Sequence, residues 1–243
     1  MRTHSTKNTK ETTMTIQLYE LCGADENLVF SPHCWKARMA LAHKGLSYES
    51  IPVPFTKVAG VEDGEGRTVP VLRDGDDIIE DSYKIALHLE RKYPDAPSLF
   101  NGEGGKALTR FVINWSQTQV HPVVYRLVLM QIYKNIAPAD QVHFRQTREK
   151  RFNMTLEEYS ASYGASATDL HNALIPLESM LAAQPYIGGE TPLFADYVVF
   201  GAIQWCRVFK GQSLMKKDSK ASVWFENVAQ LHDGAGNKLQ FAA

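Results

Sequence analysis

The chain has 243 residues, enough for one large domain or two small ones with a substantial core. Its 44% hydrophobic and 22% charged content is that of a globular protein, not a disordered or fibrous one. With 26 basic against 27 acidic side chains it carries a formal charge of -1. That argues against nucleic acid as a main partner, because phosphate binding needs clustered Lys and Arg.

Residues 1–13, MRTHSTKNTKETT, are polar and lack the apolar stretch of a secretory signal, so a disordered tail is expected there. TIQLYEL, residues 15–21, alternates and favours a first strand, and Gly23 to Asn27 form a loop. At Ser31-Pro32 a helix should begin, since Ser is a good N-cap and Pro suits the first helical position. It runs through WKARMALAHK and stops at Gly45. YESIPV, residues 48–53, is a second strand, with Pro52 favouring a sheet edge. After a loop from Pro54 to Thr68, TVPVLRDGDDIIED reads as a strand, a tight turn at Asp74-Gly75 and another strand. A helix follows from Ser82, ended by Pro94 and Pro97.

The second part of the chain changes character. Residues 105–135 have apolar positions at helical spacing, with Pro122 inside to kink or divide them. Further helices are expected over 141–162, over 168–182 with Pro176 an irregularity, and over 219–232. LFADYVVFGAIQWCRVF is apolar on nearly every side and suits a core helix. The division is therefore a tail over 1–13, an α/β unit over 14–97, a linker over 98–104 and an all-helical unit over 105–243.

Three cysteines, Cys22, Cys34 and Cys206, make no disulfide framework and fit a reducing compartment. No set of Cys and His has the spacing of a structural zinc site. No apolar run approaches the ~20 residues needed to span a bilayer. A cytoplasmic protein without a membrane partner is expected. Lys216, Lys217 and Lys220 read as a solvated turn.

Three segments are candidates for chemistry. Ser31 opens a helix after a strand, where free backbone N–H groups and the positive helix end favour an anion. Ser31 is either a plain cap or a group that acts there, and Cys34 is either a small buried residue or a reactive thiolate with a lowered pKa. In Thr68-Val69-Pro70-Val71, the proline before a buried strand either merely starts it or forms a cis peptide. If cis, the Val69 N–H and C=O can face an extended peptide ligand. Glu80-Asp81-Ser82 precedes a helix. It either caps it or also holds an amino-acid head group, ammonium on the carboxylate and carboxylate on the helix end.

In their order and spacing these segments resemble the glutathione transferase superfamily, over residues 14 to 232. FSPHCWKARMALAHKG, VPF, GRTVPVL and IEDS resemble in particular the etherase-like transferases of lignin-degrading bacteria and of fungi. The resemblance implies a thioredoxin-like N-terminal domain that binds glutathione as co-substrate, and an all-α C-terminal domain that supplies a hydrophobic pocket. It implies Ser31 as the residue that activates the glutathione thiol and Val69 as partner of the cysteinyl backbone, with Pro70 the cis proline. Asp81 and Ser82 would hold the γ-glutamyl group, and Lys57 and Arg67 would reach the glycine carboxylate or the tripeptide backbone. Trp35 and Arg38 would help shape the site. The family's helix cap is replaced by Leu193, three residues before Asp196, so Thr191 is a candidate for capping from a shifted turn.

The implied activity is attack of glutathione thiolate on a hydrophobic, aromatic electrophile, in a homodimer. β-Aryl ether cleavage or peroxide reduction, and ligandin-like binding without turnover, are the alternatives. Tyr19, Phe30, Trp115, Tyr125 and Met130 are candidates for the acceptor pocket. His121 is a candidate acid for a phenolate leaving group.

Overall fold

A computed structural model describes residues 15–161 and 166–242, so the tail expected over 1–13 lies outside the described residues. The four strands are β1 (Ile16–Leu21), β2 (Tyr48–Val53), β3 (Val71–Asp74) and β4 (Asp77–Glu80), in the order β2-β1-β3-β4. β2 runs parallel to β1, with Ile16 opposite Tyr48, whereas β3 is antiparallel to both β1 and β4. Helices α1 (Pro32–His43) and α2 (Ser82–Lys92) cover the sheet. This is the thioredoxin-like arrangement, with Pro52 on the edge strand where its missing N–H leaves no ladder bond unmade.

β1 buries Ile16 and Leu18, and also Glu20, which is fully buried. The Glu20 carboxylate takes two bonds from Arg38, at 2.6 and 2.8 Å, and a third from the Ser50 hydroxyl at 2.6 Å. A buried carboxylate is tolerable only when its oxygens are satisfied in this way. Gly45, at φ 67, ends α1, and the Leu46 N–H closes back onto the Leu41 carbonyl at 3.0 Å. Only glycine enters that conformation freely, which is why the helix stops there.

The rest of the described chain is helical: α3 (Glu103–Trp115), α4 (His121–Asn135), α5 (Pro138–Phe152), α6 (Leu156–Ala161), α7 (Ala167–Ala173), α8 (Ile175–Met180), α9 (Phe194–Lys210) and α10 (Lys220–Gly234). A π turn over Ser116–Val120 joins α3 to α4, because Pro122 has no N–H to continue an α ladder. Two expected helices divide. The 141–162 segment breaks at Asn153, in a left-handed conformation, and the 168–182 segment restarts at Pro176, in the first turn of α8. The expected loop after Pro54 contains a 3-10 segment, Phe55–Asp63.

α9 is the axis of the molecule, buried from Phe194 to Cys206 and packed on α1, α3 and α4. Its start is anchored from Asp196, which is fully buried. That carboxylate accepts from the N–H groups of Ile187, Gly188 and Leu193 at 2.7, 3.0 and 3.0 Å and from Trp224 Nε1 at 2.9 Å. Thr191 makes no side-chain hydrogen bond among the described residues, so the shifted cap does not form; the four donors on Asp196 take its place. No helix among the described residues is long and apolar enough to cross a membrane.

Candidate active site

Ser31 occupies the N-cap of α1, with its Oγ accepting from the His33 N–H at 3.3 Å. Ser31 lies at the wall of a cavity of about 550 Å³ between the sheet unit and the helices. The same cavity is lined by Arg67 and Val69, so three of the seven expected site residues meet there. The Val69–Pro70 peptide is cis, and the Val69 N–H and C=O have no hydrogen-bond partner among the described residues.

Asp81, which is exposed, and Ser82, which is buried, are not among the residues that line this cavity. The Asp81 N–H donates to the Pro70 carbonyl at 3.3 Å, and Glu80 accepts from the backbone and hydroxyl of Thr68 at 2.8 Å each. The strand end and the proline loop are thus tied together. Asp81 caps α2 by accepting from the N–H groups of Tyr83 and Lys84 at 2.9 and 3.0 Å. Its φ of 80 is a conformation an L residue rarely adopts, at a cost of about 1–3 kcal/mol. Such strain, held by a double cap beside a cavity loop, is usual of binding sites.

Lys57 stands elsewhere, in the wall of a second cavity of about 430 Å³ that also includes Tyr19. Arg67 faces the main cavity, and its Nε is buried without a partner. A β-carbon on Gly64 would fall 1.8 Å from that Nε, so any other residue there would displace the Arg67 side chain.

On the helical side Phe30 and Tyr125 line the main cavity as expected, but Tyr19, Trp115 and Met130 do not. Tyr19 is engaged instead with Glu62, and Trp115 and Met130 pack against the hydrophobic core. Trp35 is fully buried under the Arg38 guanidinium, 5.1 Å from its ring, and Arg38 is held by Glu20, so neither reaches the cavity. The sequence patterns missed Phe55, Arg148, Phe152 and Trp205, all of which line it. Arg148, Arg151 and Phe152 sit one turn apart on α5, a spacing visible in the sequence; Trp205 was hidden in a helix that is apolar all round.

No Asp or Glu lines the cavity among the described residues, whereas Arg67, Arg148 and Arg151 do. Together with the N-terminus of α1 this makes the space favourable to an anion. Arg148 also lies 4.8 Å from the Phe144 ring and 5.4 Å from Phe55, a charged lid on an apolar floor.

Three imidazoles, those of His33, His121 and His143, also line the wall. His33 and His121 stack with centroids 5.5 Å apart. His121 Nδ1 lies 3.1 Å from both the carbonyl and the hydroxyl of Ser116. A carbonyl only accepts, so Nδ1 carries the proton and Nε2 the lone pair; this assignment follows from the partners. Burial, and then the Lys36 charge, push the His121 pKa down to about 3. His121 is therefore held in its neutral form, with its one ring proton directed at the Ser116 carbonyl. His33 Nδ1 lies 3.1 Å from Lys36 Nζ. The charge of Lys36, then burial, then His121 hold the His33 pKa well below its usual value.

Cys34 is fully buried, and burial raises its thiol pKa to about 12. It packs with Cys22 and Val29, and burial with a raised pKa disfavours the reactive thiolate.

The sequence profile of the glutathione S-transferase C-terminal domain matches residues 107–239, and that of the N-terminal domain matches residues 27–97. The chain is 32% identical over 135 residues to a zeta-class glutathione S-transferase of Euphorbia esula, covering 51% of this chain and 57% of that protein. It is 44% identical over 69 residues to glutathione S-transferase Z1 of Arabidopsis thaliana, covering 26% of this chain and 31% of that one. The chain thus spans about half or less of the length of these relatives. A glutathione transferase structure from Phanerochaete chrysosporium superposes with a TM-score of 0.72 at 25% identity, over 93% of this chain and 95% of that one. A Ceriporiopsis subvermispora glutathione S-transferase, solved in complex with glutathione, superposes at 0.73 and 23% identity, over 91% and 97%. The two domain profiles in order, on a thioredoxin-like sheet followed by a helical bundle, establish that the chain belongs to the glutathione S-transferase family.

Proposed function

We propose that this protein is a glutathione-dependent transferase whose thiolate attacks hydrophobic, aromatic electrophiles. The observation that carries the reading is one cavity that combines Ser31 at the start of α1, the Val69 backbone before cis Pro70, and Arg67, with no carboxylate in its wall among the described residues. The Val69 N–H and C=O would pair with the cysteinyl backbone of glutathione in the manner of a short strand. Asp81 and Ser82 would receive the γ-glutamyl group. Arg67, rather than Lys57, would take the glycine carboxylate, because Lys57 lines a different cavity.

Ser31 accepts from His33, which leaves its own O–H to donate to the glutathione sulfur. Lowering a thiol pKa by about two units requires about 3 kcal/mol of differential interaction. A hydrogen bond to a charged group supplies about 1.5–3 kcal/mol, and the helix end adds about 0.3–1 kcal/mol. The sulfur then forms a C–S bond at the electrophilic carbon, and the electron pair of the broken bond leaves on the departing halide or aryl oxygen. The rings of Phe30, Tyr125 and Phe152 would hold the acceptor.

The two-domain division, with residues 98–104 as the linker, belongs to the same reading. So do a homodimer and a cytoplasmic location, the latter supported by three free, buried cysteines. Titration with glutathione, followed by conjugation kinetics of Ser31→Ala, tests the proposal. Turnover should fall at least about tenfold while glutathione still binds. Unchanged turnover, or no glutathione binding by the parent protein, would defeat it.

A further inference from the structure

Arg145, Arg148 and Arg151 stand one turn apart on α5, and their partners differ. Arg145 is neutralised by Glu149 and Glu157, at 2.7 and 2.8 Å. Arg148 and Arg151 make no ion pair among the described residues. Arg148 donates from Nη1 to the Thr147 hydroxyl at 2.9 Å, which engages only part of its donor fork. Its Nε and Nη2 have no hydrogen-bond partner among the described residues, yet neither is buried away from solvent. Arg151 is exposed.

Both guanidinium groups stand at the main cavity. Arg148 Cζ lies 4.8 Å from the Phe144 ring and 5.4 Å from the Phe55 ring, and Arg151 Cζ lies 5.9 Å from the Phe152 ring. All three rings line the cavity, as do both arginines. Tyr125, in the same wall, reports the two charges. Burial pushes its pKa up, while Arg148 and then Arg151 act in the other direction. No Asp or Glu lines the cavity among the described residues, so these charges meet no compensating one there. In the proposed reading the glycine carboxylate of glutathione falls to Arg67, which leaves Arg148 and Arg151 without an anion.

A carboxylate suits such a pair. Its two oxygens accept from a guanidinium fork in bidentate fashion, and side chains one helical turn apart can converge on one anion. The rings of Tyr125 and Phe152 beside them offer an aromatic seat. A neutral aromatic compound would leave both arginines unanswered, and a small aliphatic acid would leave the rings unused.

Resting on the proposed transferase reading, we propose that the second substrate is an aromatic acid, its ring seated against Tyr125 and Phe152 and its ionised carboxylate held by Arg148 and Arg151. The carboxylate is a recognition group and takes no part in bond making. The two arginines are specificity-determining residues. Arg148, half-buried, carries the larger share, because water and salt screen the exposed Arg151.

The test uses 2-naphthoate and 2-naphthamide, which share a ring and a planar substituent but differ in charge. Neither is an electrophile, so calorimetric titration of the full chain reads binding without turnover. The parent protein should bind 2-naphthoate at least about tenfold more tightly at low salt, since hydrogen bonds between charged groups are the strong ones. Arg148→Gln should cut that preference at least about fivefold, Arg151→Gln should cut it less, and the double variant should bring it within about twofold. Equal affinity for the two probes, no binding of either, or a preference that survives the double variant would overturn the inference. The parent comparison stands by itself if a variant fails to fold. Glutathione is titrated separately against the same proteins, and its affinity should stay within about twofold. A loss of glutathione affinity as large as the loss for 2-naphthoate would assign the arginines to the peptide and overturn the inference. If glutathione binds and the probes are not distinguished, only this inference falls; if it does not bind and the preference is present, only the transferase reading falls.

Discussion

Gly201 on α9 lies against the carbonyl of Pro32 at the start of α1, so closely that a β-carbon on Gly201 would sit 2.4 Å from that oxygen. The helical part of the molecule thus touches the backbone next to Ser31 with nothing between. The contact joins the residue proposed to activate the thiol to the helix that presents Trp205.

Gly201→Ala should therefore force α1 and α9 apart. Overpacking of this kind costs about 1–3 kcal/mol. Because Pro32 follows Ser31 directly, conjugation should slow as well. Urea melts and steady-state kinetics check both; full stability and full turnover in the variant would show that the contact does not position Ser31.

Ser31 has two roles that one substitution can separate. Asp is as good an N-cap as Ser and can accept from the His33 N–H, but ionised it has no proton to donate to a sulfur. Ser31→Asp should keep the melting temperature and lose about 10–100-fold in kcat/KM. A variant that retained activity would identify Ser31 as a cap only.

Buried histidines, His43 and His121 among them, give the stability an acid-side dependence. Burial, then His232, pushes the His43 pKa down to about 4; burial, then Lys36, pushes His121 to about 3. His43 Nδ1 and His232 Nε2 both meet the Tyr197 hydroxyl, at 2.6 and 2.8 Å. The unfolded chain takes up these protons near pH 6.5 and the folded one only near 4 and 3. Between those values the unfolded state binds more protons, so stability falls as the pH drops below about 6.5 and is unaffected by these groups above it. Each contributes up to about 1.4 kcal/mol per pH unit in that window. Denaturant titrations across pH 4–7 should show a shallower slope for His43→Gln than for the parent; parallel slopes would refute the assignment.

Burial raises the thiol pKa of Cys22 to about 11, and of Cys34 and Cys206 to about 12. All three are buried and unpaired. The folded protein should not react with an aromatic disulfide reagent at pH 8, and all three should react in denaturant. Cys34→Ala should leave conjugation within about twofold of the parent. Rapid labelling of Cys34 in the folded protein, with loss of activity, would restore a redox role.

Much of the fold was legible because local chemistry agrees with it. Ser31-Pro32 and Gly45 mark the two ends of α1 with residues that suit an N-cap, a first helical turn and a left-handed stop. Pro52 marked the edge strand, and Pro122 and Pro176 marked breaks because neither can donate to the preceding turn. The replacement of a hydroxyl cap at Leu193 was visible, but its compensation was not. Asp196 gathers donors from residues 187, 188, 193 and 224, and no local pattern records such a meeting.

The candidate site divides in the same way. By itself the sequence determined the segments able to carry chemistry, Ser31, Val69-Pro70 and Asp81-Ser82, since caps and proline turns are written in adjacent residues. Only the tertiary structure decided which distant side chains share a wall. It placed Arg67 in the main cavity and Lys57 outside it, and it turned Trp115 and Met130 into the core. It also set the state of His121, whose Nδ1 lies on the Ser116 carbonyl and whose pKa burial first, and then the charge of Lys36, hold down. Periodicity reports that a residue faces inward; whether the inside is core or cavity depends on what another element brings against it.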